Sequence, residues 1–203
     1  MNRTIFSLMI LVSCVLSACV GTSKSISSTV VYDFGLPAAR LLPEGAGPKL
    51  MLEVKSPGWF DSLNIDYRLA YEDSLKQREY AASRWAANPA VLLGQSLRQQ
   101  LGLTNALAAD CVLKVELQEF SQVFDTPQVS HGLLLASVSL ISTKRHLLAE
   151  RQISLRHAAA SADANGGVRA LVAASGELGQ QLADWLLALD KQGELVSCRP
   201  AKT

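Results

Sequence analysis

The stretch Cys111-Val112-Leu113-Lys114-Val115-Glu116-Leu117-Gln118 (CVLKVELQ) sets Cys111, Leu113, Val115 and Leu117 against Lys114, Glu116 and Gln118. Alternation with period two sends the apolar set to one face and the polar set to the other, so it predicts a half-buried strand. The run extends to Phe124 and is broken by Thr126-Pro127. Beyond it, Leu133 to Ile141 is apolar on both faces apart from serines, which predicts an interior strand covered on both sides. Thr143-Lys144-Arg145 then turns the chain into a further strand carrying Leu147, Ala149, Ile153 and Leu155. Strands spaced this closely have room for hairpins but not for crossover helices, so the three predict an antiparallel meander.

Upstream, Val30 to Phe34 reads as a short strand stopped by Gly35 and Pro37, and Leu41 to Pro48 as a loop rich in proline and glycine. Lys49 to Lys55 alternates, with Leu50, Leu52 and Val54 on one face, and Ser56-Pro57-Gly58 ends it. Leu63, Ile65, Tyr67, Leu69 and Tyr71 predict a second long strand, Asp73-Ser74 a turn, and Leu75 to Ala81 the return strand of a hairpin. Asn88-Pro89 starts a helix, because Asn caps and proline at the first helical position loses no hydrogen bond. Ala90, Leu93, Leu97 and Leu101 line one face of that helix, and Gly102 suits its end. Val168, Leu171, Val172, Ser175, Leu178, Leu182, Trp185, Leu186 and Leu189 recur at helical spacing from about Gly167 to Leu189. Strands, helix, strands, helix predict an α+β fold: one mainly antiparallel sheet with two helices packed on it.

The N-terminus predicts location. Arg3 precedes an apolar run over Ile5 to Val15 that is too short to span a bilayer, and Leu16-Ser17-Ala18-Cys19 closes it. This is the pattern of a lipoprotein signal, in which the Cys19 thiol is acylated before cleavage exposes it as the first residue. Residues 1–18 are therefore expected to be a signal peptide and 19–29 a lipidated tether. The folded domain is expected over 30–192, followed by a tail over 193–203. Each buried methylene contributes about 0.8 kcal/mol, and one chain binds only reversibly, so stable anchoring takes several chains. Val20 stands where an aspartate favours inner-membrane retention in enteric bacteria, which points to the periplasmic face of the outer membrane.

Charge and chemistry narrow the function. The formal charge of +1 includes Arg3, so the mature chain is formally neutral. There is no basic block for nucleic acid. Cys14 leaves with the signal; Cys111 and Cys198 remain in a compartment that permits disulfides, as a bridge or as two unpaired thiols. His131, His146 and His157 show no metal-ligand spacing, neither cysteine belongs to a CxxC, and no G-x-S-x-G elbow is present. No cofactor, no metal and no catalytic residue is expected. Arg84-Trp85, between hairpin and helix cap, either anchors a partner or plugs the junction of sheet and helix, and Trp59 invites the same two readings.

The order of motifs resembles a known group. It begins with Tyr32-Asp33-Phe34-Gly35, Ser56-Pro57, Ile65-Asp66-Tyr67-Arg68, Tyr80 and Arg84-Trp85-Ala86. Pro89 with Leu92-Leu93, then Leu113 to Phe120 and Ala170 to Ala174 with Trp185, complete it. This order behind a lipobox resembles the ABC-type transport auxiliary lipoproteins of the PqiC-like group. The resemblance implies a non-catalytic periplasmic part of an MCE-type lipid transport system, docking the MCE assembly at the outer membrane and supporting membrane integrity. Its implied partners are an MCE-domain protein, an ABC permease and ATPase, and the membrane through the lipid anchor, with one copy or a ring of copies left open. Cys111 and Cys198 are not part of the pattern. Two other readings stay open: an envelope-assembly lipoprotein, and a lipoprotein that itself binds lipid.

Overall fold

The computed structural model describes residues 28–36, 39–42, 49–103 and 109–199, with the side chain of Trp59 excepted. The signal peptide, Cys19 and most of the tether lie outside the described residues, as do 200–203 of the tail. Among the described residues seven strands form one mixed sheet: β1 (Val30–Tyr32), β2 (Leu50–Lys55), β3 (Asn64–Leu69), β4 (Gln77–Trp85), β5 (Cys111–Phe124), β6 (Ser130–Ser142) and β7 (Leu147–Ala158). Among the described residues the α-helices are α1 (Ala70–Asp73), α2 (Pro89–Leu101) and α3 (Ala164–Lys191). This is an α+β domain.

The strand order is β1-β4-β3-β5-β6-β7, with β2 also paired to β5. The meander β5-β6-β7 is antiparallel and carries the long ladders. Three shorter pairings, β1 with β4 and both β2 and β3 with β5, are parallel. β2 occupies the first half of one edge of β5, pairing Leu50 with Cys111 through Lys55 with Glu116. β3 takes over farther along the same edge, from Asp66 opposite Ser121 to Leu69 opposite Phe124. Between them the chain leaves the sheet through a 3-10 turn, Gly58–Phe60, which buries Phe60. The β5–β6 ladder shifts register between Leu117 and Glu119, so the inward set changes phase from Cys111, Leu113, Val115 and Leu117 to Phe120, Gln122 and Phe124.

Both long helices lie on one face of the sheet. Asn88 caps α2 by accepting the Ala90 N–H at 2.8 Å, and Gly102 closes it at φ 62°, a left-handed value that glycine tolerates best. Asp163 caps α3, its Oδ1 accepting the Gly166 N–H at 2.8 Å, and this bond holds the Asp163 carboxyl below its ordinary pKa. Leu171, Leu178, Leu182 and Leu186 of α3 pack over Leu134, Val138, Leu140 and Ile153, each fully or almost fully buried. A leucine so buried contributes about 2 kcal/mol relative to an exposed one.

Three local expectations are corrected. β6 is covered by a helix on one face alone; on the other, Leu133, Leu135 and Ile141 are half-buried and share the face with Ser137 and Ser139. Neighbouring side chains in the sheet shield them, which the apolar run by itself does not distinguish from a second layer. β3 stops at Leu69, and Ala70–Asp73 form a helical turn whose Glu72 pairs with Arg78 at 2.7 Å. The return strand therefore begins at Gln77 and runs to Trp85, with Leu75 left exposed in the turn.

Candidate functional site

The structure joins Cys111 to Cys198, with Sγ atoms 2.01 Å apart and both residues fully buried. Cys198 lies in a 3-10 turn, Val196–Cys198, just after α3. The bridge therefore ties the start of β5 to the far end of the long helix.

Trp85 is not available to a partner. It is 0% exposed, meeting the ring of Phe34 edge-on and that of Phe120 at a tilt, each at 5.6 Å between centroids. The reason is its place as the last residue of β4, where Leu63 and Tyr32 hold the backbone from both sides through Trp85 N–H to Leu63 O and Ala86 N–H to Tyr32 O. Arg84, one residue earlier, points to the opposite face and is exposed. The Trp59 side chain lies outside the described residues. His131 and His157 sit against carboxylates, His131 Nδ1 being 2.9 Å from Asp125 Oδ2 and His157 Nε2 2.6 Å from Glu177 Oε2, while His146 is exposed in a turn. Among the described residues no group of three or more His, Cys, Asp or Glu is placed to hold a metal ion.

A groove of about 520 Å³ lies between the stretch Val31–Gly35 and the first half of α3. Val31 and Phe34 form one wall; Val168, Val172 and Ala173 form the other. Asp33, Asn165 and Arg169 are its polar members. Phe34 is fixed from behind by stacking on Phe120 at 5.8 Å and by its edge contact with Trp85. Near the start of α3, the sheet carries a buried polar relay. Tyr80 donates to Gln122 Oε1 at 2.8 Å, and Gln122 Nε2 donates to Ser130 Oγ at 2.7 Å. Burial, then the neighbouring Tyr67, pushes the Tyr80 hydroxyl well above its ordinary pKa, so it stays neutral and donates at every physiological pH. The breadth of the α3 stripe was the sequence signal for this groove: Leu171 faces the sheet, whereas Val172, one residue on, faces the groove.

The other face of the sheet holds a buried carboxylate, at a position where alternation with Ile65 and Tyr67 would lead one to expect a solvent residue. Asp66 is 7% exposed beside Ser121 of β5 and Glu79 of β4, and the Arg68–Glu119 ion pair (2.9 Å) bridges β3 and β5 on this face. Burial is the main cause that raises its pKa to about 6; Gln77 and Arg68 oppose the rise, and Glu119 and Glu79 add to it. Because the folded state holds this proton more tightly than the unfolded chain, the penalty sets in as pH rises past the unfolded value of 3.8 and is complete only about one unit above the folded value of about 6. Asp66→Asn is therefore expected to raise the free energy of unfolding by about 2–3 kcal/mol at pH 8 and to leave it unchanged near pH 3.5. Urea titrations of both proteins at the two pH values check this; equal gains at both would show that burial of the charge is not the cause.

No family model and no curated protein matches the sequence. Solved structures do. Protein XCC0632 from Xanthomonas campestris, described with the family model DUF330, superposes with a TM-score of 0.68 at 17% identity, over 81% of this chain and 98% of its own. The fold is shared. An uncharacterised protein superposes with a TM-score of 0.61 at 16% identity, over 78% of this chain and 98% of its own. Both likenesses concern architecture, and both take in nearly the whole of the compared chain.

Proposed function

We propose that this chain is a lipid-anchored, non-catalytic envelope protein, held by Cys19 at the periplasmic face of the outer membrane. There it would serve as the auxiliary lipoprotein of an MCE-type lipid transport system, docking an MCE-domain protein that works with an ABC permease and ATPase. The observation that carries this reading is the sequence Leu16-Ser17-Ala18-Cys19 only eleven residues before the first strand. A tether of roughly ten residues reaches at most about 35 Å, so the domain works beside its membrane and meets a long partner instead of crossing the periplasm. The DUF330-type fold, shared with XCC0632, is compatible with the role, and exposed Arg84 is a candidate point of contact.

Cys19→Ala is expected to abolish acylation and to release the protein from the membrane fraction of cells. A photo-crosslinker at Arg84 is expected to recover an MCE-domain protein. Acylation and membrane attachment that survive Cys19→Ala would overturn the anchor, and cross-linking without any MCE partner would overturn the transport role.

A further inference from the structure

The groove beside α3 combines two features that point to one ligand chemistry. Its walls are apolar, with Val31 and Phe34 facing Val168 and Val172, and at about 520 Å³ it lies in the size range of small-molecule sites. At its rim Arg169 is exposed, and its polar contact among the described residues is Nε to Asn165 Oδ1 at 2.8 Å, with no carboxylate in reach. An unpaired guanidinium beside an apolar groove complements a molecule with a hydrocarbon body and an anionic, oxygen-rich head. Asp33 sits on the opposite wall, where its Oδ1 accepts the Gly35 N–H at 2.8 Å, and its charge keeps an anion away from that side. The head is thereby directed to α3 and the chain runs along the groove.

The wall formed by Val31–Gly35 also lies directly after the tether, which keeps the groove within reach of the anchoring membrane; this step rests on the lipid-anchor reading above. We propose that the groove holds one acyl chain of a membrane phospholipid, with the phosphate at Arg169.

The test is native mass spectrometry of the purified full chain in detergent, offered 1-palmitoyl-2-oleoyl-phosphatidylglycerol, oleic acid or additional dodecyl maltoside. One phosphatidylglycerol per chain is expected. Arg169→Glu is expected to weaken its retention by about tenfold or more, as loss of a charge-assisted contact requires, and Val172→Asp to remove it. Arg169 is exposed, so its variant is expected to match the parent in circular dichroism and melting, whereas Val172 also touches the core, so its variant is expected to keep the parent's circular dichroism with a lowered Tm. No retained phospholipid, or retention unchanged in both folded variants, overturns the proposal. Preference for oleic acid assigns the groove to free fatty acids and also overturns it. The Cys19→Ala chain separates this reading from the anchor: retention there is expected unchanged, and its loss would trace the lipid to the anchor and overturn the groove.

Discussion

Replacing both bridged cysteines, as Cys111→Ala with Cys198→Ala, is expected to lower the free energy of unfolding by roughly 4–5 kcal/mol. The bridge spans 87 residues, and in the chain-entropy account closing a loop of that size removes about this much freedom from the unfolded state. For a domain of this length the loss corresponds to a fall in Tm of about 10–15 °C. Both residues are completely buried, so the alanines enter an apolar setting and expose no polar group. Reducing the parent protein is expected to reproduce most of the fall, and a thiol assay on denatured, unreduced mature protein is expected to find neither Cys111 nor Cys198 reactive. Equal melting with and without reductant would refute this.

Gly132→Val is expected to be at least as damaging, through the opposite defect. Gly132 lies on the inward face of β6, where the backbone of α3 passes close to the sheet. A Cβ at that position would stand 2.8 Å from the Leu171 nitrogen and 2.9 Å from the Ala170 carbonyl carbon. Those are helix backbone atoms, so no rotamer change relieves the overlap, and α3 must move as a unit. Gly132→Ala is expected to cost about 1–3 kcal/mol, with valine costing more and dislodging the first half of the helix. Because that half forms one wall of the groove, lipid retention and stability should fall together in Gly132→Val. At Gly176, where an added Cβ meets nothing within 4 Å, alanine is expected to be neutral or slightly stabilising. Chemical denaturation of the three variants checks the order; a Gly132→Val protein as stable as the parent would show that the helix is free to shift.

The elements visible in the sequence were those whose pattern answers to one surface. The β5 alternation, the Asn88-Pro89 start and Gly102 end of α2, and the α3 stripe each appear where their residues predict them. The parallel placement of β2 and β3 along one edge of β5 was not visible, because alternation reports faces and says nothing of neighbours. Asp66 reads as a solvent residue in an alternating strand, and its burial comes from partners on β4 and β5 that lie far away in sequence. The groove was half legible: Val168 and Val172 stood in the stripe, but Phe34 and Asp33 reach it through the path of the chain after β1. Trp85 was ambiguous for a different reason. A tryptophan beside an arginine looks the same whether it faces outward or, as here, fills the space between Phe34 and Phe120.

The covalent ring closed by Cys111 and Cys198 contains β5, β6, β7 and α3, and leaves β1 to β4 and α2 outside it. Tension applied from the N-terminal side would thus meet two materials in series. The three-residue ladder of β1 bears the load first and yields easily. Behind it, the looped segment cannot be drawn out to full length while the sulfur link holds, so the domain can give way at its leading edge and still keep its main body intact.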